Sequence, residues 1–339
     1  MSLGPVMLDI EGLALTPEEA ERLRHPLVGG VILFSRNYES PDQLAALTHE
    51  IHTLRDPQLL IGVDHEGGRI QRFRSGFTHL PPAAAFGAVF DENPKRALRL
   101  ASHCGWLMAA ELRAFGVDFS FAPVLDLDRE MSKVIGDRAF HHDPEAVAEL
   151  AHAFMSGMHR AGMAATGKHF PGHGGCHADS HTELPVDNRS LVDLLAEDVL
   201  PFERMITFGV AGIMPAHVLY PQVDQQPAGY SSIWLKDILR GRLGFQGVIF
   251  SDDLSMVGAH VAGDIVARAR TALAAGCDMV LVCNDPRAAA DLLDGLGTLD
   301  DPVAHLRLVR MHGRPAPGRV ELAAMEEYHD AIRMMENLA

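Results

Sequence analysis

The chain has 339 residues, 47% of them hydrophobic, with 29 Lys and Arg against 45 Asp and Glu and a formal charge of −16 at pH 7. That charge argues against a nucleic-acid or anionic-membrane partner, since both reward basic patches. The hydrophobic fraction is that of a soluble globular protein with a sizeable core. No apolar run approaches the ~18 residues of a membrane span, and the N-terminus lacks a basic-then-apolar signal pattern, so a cytoplasmic protein is expected.

Taken in chain order, the candidate strands are VMLDI (6–10), GGVILF (29–34), LLIGVD (59–64) and VDFSFAPVLDL (117–127). AATGKHF (164–170), GIMPAH (212–217), GVIFSDD (247–253) and MVLVCN (279–284) follow. Short apolar runs bounded by Gly and polar residues suit parallel strands buried on both faces. Amphipathic stretches separate them. Ser40-Pro41, Asn93-Pro94 and Asp143-Pro144 each read as a cap residue followed by Pro in the first helical turn. Gly116, Gly162, Gly209 and Gly276 fall between a helix and the next strand, as C-terminal caps should. Eight β/α units over this length predict a (β/α)8 barrel in a single domain spanning 1–339, with a helical tail from about 300 to 339. A doubly wound open sheet is the competing architecture, but the first βα turn lacks the GxGxxG fingerprint of its dinucleotide-binding form.

In such a barrel, chemistry comes from the C-terminal ends of the strands. Those ends carry Asp9, Asp64, Asp126, Lys168, His169, His217, Asp252 and Asn284. For Asp9 and Asn284 a cap or turn role is the simpler reading. Asp252 and Asp253 close the run VIFSDD: one of them caps the next helix, and the other projects over the barrel mouth as a nucleophile, base or metal ligand. Arg72, Arg138 and Asp64 lie in polar segments after strands, and Arg and Lys donors facing an Asp suit a polyhydroxylated ligand. Arg69, close to Arg72 in sequence, is expected to be a structural partner of Glu66.

The stretch 168–181, KHFPGHGGCHADSH, is the densest in titratable groups. Lys168 and His169 end a strand and would point donors into the mouth. The rest of the loop has three readings. Solvated histidines are the simplest, preferred for His177. A metal site is the second, although no HxH or HExxH pattern supports it. The third is an acid/base dyad, in which Asp179 orients His181 and His181 moves a proton near neutral pH. The cysteines (Cys104, Cys176, Cys277, Cys283) show no zinc spacing. Three read as core thiols, and Cys176, in the polar loop, is expected to be the exposed one and a weak candidate nucleophile.

VDHEGGRIQRF, IGDRAF, KHFPGHG, the triplet DSH and FSDDLSM, in this order, resemble the glycoside hydrolase family 3 β-N-acetylglucosaminidases of peptidoglycan recycling, the NagZ type. The resemblance runs from about Gly4 to Asn284 and is weak after about residue 300. It implies a (β/α)8 barrel without a second domain, Asp252 as nucleophile, His181 as general acid/base and Asp179 as its orienting partner. It also implies that Asp64, Arg72, Arg138, Lys168 and His169 bind N-acetylglucosamine. The implied substrate is a small molecule, N-acetylglucosaminyl-β-1,4-anhydro-N-acetylmuramic acid with or without its peptide. No metal or other cofactor is expected, and a monomer is the default. With Gly172, Gly174 and Gly175 upstream, the loop carrying Asp179 and His181 is expected to hinge and close over the sugar. A phosphorylase, a metal-dependent barrel hydrolase and a non-catalytic sugar-binding barrel are the alternatives.

Overall fold

All eight apolar runs contribute strands to one closed ring in a computed structural model, which describes residues 2–176, 183–299 and 301–338. The strands are β1 (Val6–Leu8), β2 (Val28–Leu33), β3 (Leu60–Val63), the hairpin pair β4 (His65–Gly67) and β5 (Ile70–Gln71), β6 (Phe119–Ser120), β7 (Ala164–Phe170), β8 (Gly212–Pro215), β9 (Val248–Asp253) and β10 (Met279–Val282). Around the ring the order is β1-β10-β9-β8-β7-β6-β3-β2, with parallel pairing throughout. This is the (β/α)8 barrel, and it excludes the open sheet.

Local chemistry explains the element boundaries. Ser40, Asn93 and Asp143 each accept a backbone N–H from the third residue beyond, and each is followed by Pro at the first helical position. Gly116, Gly162, Gly209 and Gly276 all take positive φ at the turns that lead back to the sheet. The run 117–127 yields only a two-residue strand. Pro123 offers no N–H to a ladder, and the chain continues as extended backbone that meets the neighbouring strand again at Val124 and Lys168. The hairpin β4–β5, missed in the sequence, forms because Gly67 and Gly68 both turn with positive φ.

Inside the ring Phe119, Phe121 and Phe250 pack against one another with ring centroids 5.0–5.4 Å apart. Gly62 makes room for them, since a Cβ there would lie 3.0 Å from Phe119. All three rings are fully buried, and truncating one to Ala would cost about 3–5 kcal/mol. This aromatic plug fills the barrel below the mouth.

The last segment ties back to the barrel. Tyr328 donates to Glu111 at 2.8 Å, Gly313 N–H donates to Asp118, and Arg314 N–H donates to the Gly162 carbonyl. No helix among the described residues is long and apolar enough to cross a membrane.

Candidate active site

The strand ends converge on a cavity of about 200 Å³ at the C-terminal mouth, walled by Asp64, Arg72, Arg138, Lys168, His169 and Asp252. These are the five sugar-binding candidates and the candidate nucleophile named from the sequence, and Asn284 lines the same cavity. Asp179 and His181 lie outside the described residues.

Lys168, near the end of β7, is buried, and its Nζ donates to Asp64 Oδ1 and meets Glu66 Oε1, both at 2.7 Å. Arg138 makes a two-pronged pair with Glu66, through Nε and Nη2 at 2.8 Å each. Arg72 sits 3.5 Å from Asp64. Burial alone would drive these groups neutral. The mutual pairing wins. Although burial pushes the other way, the nearby cations hold Asp64 and Glu66 below the usual carboxylate range, and the carboxylates hold Lys168 and Arg138 above their ordinary values. The wall of the cavity is therefore a fixed array of alternating charges.

His169 follows Lys168 across a cis peptide. Its Nδ1 lies 2.7 Å from Asp126 Oδ2, and Asp126 is fully buried. Burial raises the Asp126 pKa, but the neighbouring His169 and its hydrogen bond outweigh that and keep the carboxylate ionised. An ionised carboxylate only accepts, so Nδ1 donates to it, and Nε2 has no hydrogen-bond partner among the described residues. Asp126 also accepts the backbone N–H of His169 and of His173.

The two carboxylates that end β9 have different surroundings. Asp253 accepts from Ser255 N–H, Ser255 Oγ–H and Cys283 N–H, so it belongs to the turn. Burial pushes its pKa up to about 6. Asp252 accepts only the N–H of Asp253 among the described residues, and its carboxylate lines the cavity. His217 is fully buried and donates its Nε2–H to the Asp253 carbonyl, which braces the same turn.

Several expectations are corrected. Arg69 does not pair with Glu66. It reaches Asp137 at 3.0 Å and backbone carbonyls of 133–135, because the 130s loop folds over it. Glu66 is instead the shared partner of Arg138 and Lys168, and so a part of the site that was read as peripheral. Cys176 is buried, 2% exposed, and burial pushes its thiol up to about 12, so at neutral pH it is a protonated core group rather than a nucleophile. The glycines at 174 and 175 serve close packing: a Cβ would collide with the Leu127 carbonyl oxygen in one case and the Arg189 guanidinium in the other. Asp9 and Asn284 are turn residues as expected, the Asp9 carboxylate accepting the Asn284 N–H.

His173 was weighed in the sequence only as part of a metal-binding loop. It is buried, lines the cavity, and neither ring nitrogen has a partner among the described residues. Arg72 Nε is in the same position. Unpaired buried donors are costly, so groups of this kind face a polar ligand. Among the described residues no three His, Cys, Asp or Glu side chains form a group that could hold a metal ion. The arrangement offers charge-fixed donors, one uncommitted carboxylate and two imidazoles around a small cavity.

Residues 6–310 match the model of the glycosyl hydrolase family 3 N terminal domain. A β-hexosaminidase of Thioalkalivibrio sulfidiphilus is 64% identical, over 100% of this chain and 97% of that protein. A β-hexosaminidase of Nitrosospira multiformis is 58% identical with the same coverage. Among solved structures, NagZ of Neisseria gonorrhoeae in complex with N-trifluoroacetyl-D-glucosamine superposes with a TM-score of 0.95 at 48% identity, covering 100% of this chain and 99% of that one. The zinc complex of the same gonococcal protein gives a TM-score of 0.94 at 47% identity, again over 100% and 99%.

Proposed function

Because this chain belongs to glycosyl hydrolase family 3 and is a β-N-acetylhexosaminidase, we propose that it is a retaining exo-enzyme that releases N-acetylglucosamine from β-1,4-linked (anhydro)muropeptides in cytoplasmic cell-wall recycling. The observation that carries the mechanistic part is the division of labour at the end of β9: Asp253 is committed to the turn, and Asp252 is left facing the cavity.

In this reading Asp252 attacks the anomeric carbon while His181, oriented by Asp179, protonates the departing glycosidic oxygen. Water activated by the same His181 then displaces Asp252 from the covalent glycosyl-enzyme and restores the β configuration. Asp64, Arg72, Arg138, Lys168 and His169 hold the sugar. The muropeptide as substrate and the monomeric state rest on the resemblance of the motifs. The sugar itself is supported by the gonococcal relative, which binds an N-acylated glucosamine.

A time course on a chromogenic β-N-acetylglucosaminide tests the assignment. Asp252→Ala should lose at least ~10³-fold in turnover, as loss of a nucleophile does, and near-wild-type turnover would end the nucleophile role. His181→Ala should lose less on substrates whose leaving group is already good, and an equal loss on every leaving group would count against an acid. Sugar 1-phosphate formed in phosphate buffer would indicate a phosphorylase. Loss of activity with chelator would indicate a metal-dependent hydrolase.

A further inference from the structure

The mouth is not the largest cavity. At the opposite end of the barrel, below the first residues of β7 and before those of β8 and β9, lies a cavity of about 660 Å³. It falls in the volume range of small-molecule sites, roughly 300–1,000 Å³.

Its walls contain no Asp or Glu among the described residues, in a chain with a formal charge of −16. Arg307, Arg310 and Arg314 line it together with His159 and His312. The nearby carboxylates are already engaged. Asp278 pairs with both Arg240 and Arg307, and Asp118 with Arg113 and His52. Neither Arg310 nor Arg314 has a carboxylate within 4 Å among the described residues, and both are exposed at the cavity's edge. Burial and then the charge of Arg314 hold the His159 pKa below its ordinary value, which fits a crowded positive field. The other lining residues are glycines, apolar side chains and the exposed Gln246, with Met163, Val210 and Phe245 buried.

We propose that this basal cavity binds a phosphorylated small molecule. Its phosphate would sit against the Arg310 and Arg314 guanidinium groups, whose planar donor forks match phosphate oxygens. Its apolar part would lie on Met163, Val210 and Phe245. The site would be separate from the mouth: the four residues from Ala164 to Lys168 along β7 span roughly 13 Å at ~3.3 Å per residue. This inference does not depend on the muropeptide reading.

Isothermal titration of the full chain with inorganic phosphate and with phenyl phosphate tests it. Phenyl phosphate should bind saturably with one site, and about tenfold more tightly than inorganic phosphate. The double variant Arg310→Gln/Arg314→Gln should bind phenyl phosphate at least ~10-fold more weakly, the worth of one or two charge-assisted hydrogen bonds. That variant should keep its thermal midpoint and its hydrolysis of a chromogenic substrate. Arg72→Ala, which removes a cation from the mouth, should bind phenyl phosphate as the wild type does. Absence of saturable binding at millimolar ligand, equal binding by the double variant, or loss of binding in Arg72→Ala would overturn the proposal. Equal affinity for the two probes would overturn the role of the apolar wall.

Discussion

Glu66 accepts two N–H groups of Arg138 at 2.8 Å each, and its Oε1 also meets Lys168 Nζ at 2.7 Å. One buried carboxylate thus fixes two of the cations proposed to grip the sugar. It acts through them as a positioning residue. Glu66→Gln should raise KM and lower kcat/KM by about 10- to 100-fold, the worth of ~1.5–3 kcal/mol of charge-assisted hydrogen bonding. Glu66→Ala should in addition lose about 3–5 kcal/mol of stability, because two buried cations are left under-compensated. Steady-state kinetics and chemical denaturation measure the two effects. A change in kcat alone, at unchanged KM, would contradict a positioning role.

Asp126 fixes the ring of His169 from beneath, although by its place after an apolar run it ranks no higher than the other strand-end carboxylates. Asp126→Asn removes the negative charge that selects the Nδ1–H tautomer. The expected result is a fall of about 10- to 100-fold in kcat/KM, from ~1.5–3 kcal/mol of lost charge-assisted bonding. NMR of the imidazole nitrogens should show His169 in mixed tautomers. A single unchanged tautomer in the variant would sink this account.

Asp253 and Asp252 should separate cleanly by mutation. The raised Asp253 pKa, about 6 in the folded chain against an ordinary 3.8, means that folding favours the protonated acid. Its contribution is therefore full below pH 3.8 and is lost as pH rises through 6, by at most about 1.4 kcal/mol per pH unit. Asn can keep the same bonds, with its carbonyl accepting the Ser255 and Cys283 N–H groups and its amide donating to Ser255 Oγ. Asp253→Asn should accordingly flatten the stability profile between pH 4 and 6 while retaining substantial turnover. Inactivation as deep as that of Asp252→Ala would show that the wrong member of the pair was chosen.

His65 supplies the acid limit. Its ring is buried, 1% exposed, near Phe73 and Phe77, with Nδ1 unpartnered among the described residues. Burial, aided by Arg72 and Arg74, lowers its pKa to about 3. Folding thus favours the neutral ring, so its contribution is full above pH 6.5 and is lost as pH falls toward 3. Denaturation at several pH values should show His65→Leu with a shallower slope below pH 6.5, by up to about 1.4 kcal/mol per pH unit. An unchanged slope would mean that the ring is not neutral in the folded chain.

The fold was legible because periodicity, caps and glycines agree. Ser40, Asn93 and Asp143 open helices where the sequence places them, and β7 runs from Ala164 to Phe170 as read. The eight strand positions were readable, but their lengths were not, because Pro123 interrupts a run that looks continuous by hydrophobicity alone. The mouth residues were legible from their place after apolar runs. Their partners were not. By sequence Glu66 pairs with Arg69, three positions away, whereas its partner in the fold, Arg138, lies 72 residues away. Pairing across strands depends on ring closure, and local sequence carries no trace of it. Cys176 was misjudged for a similar reason, since a polar neighbourhood in sequence became a buried one in space.

The pairing of β1 with β10 has a consequence for synthesis. Val6 and Val280 are register partners, so the ring has an open edge until nearly the whole barrel sequence has been made. Contacts this distant in sequence slow folding, and an unclosed sheet is a template for other chains. During translation the residues of the mouth exist as fragments: Asp64 and Glu66 emerge early, Lys168 and His169 midway, and Asp252 last. A ribosome stalled before residue 279 would hold all five of these residues and still lack the strand that closes the ring around them. Hydrolysis should therefore switch on abruptly in a series of nascent chains of increasing length, only once β10 is free to pair.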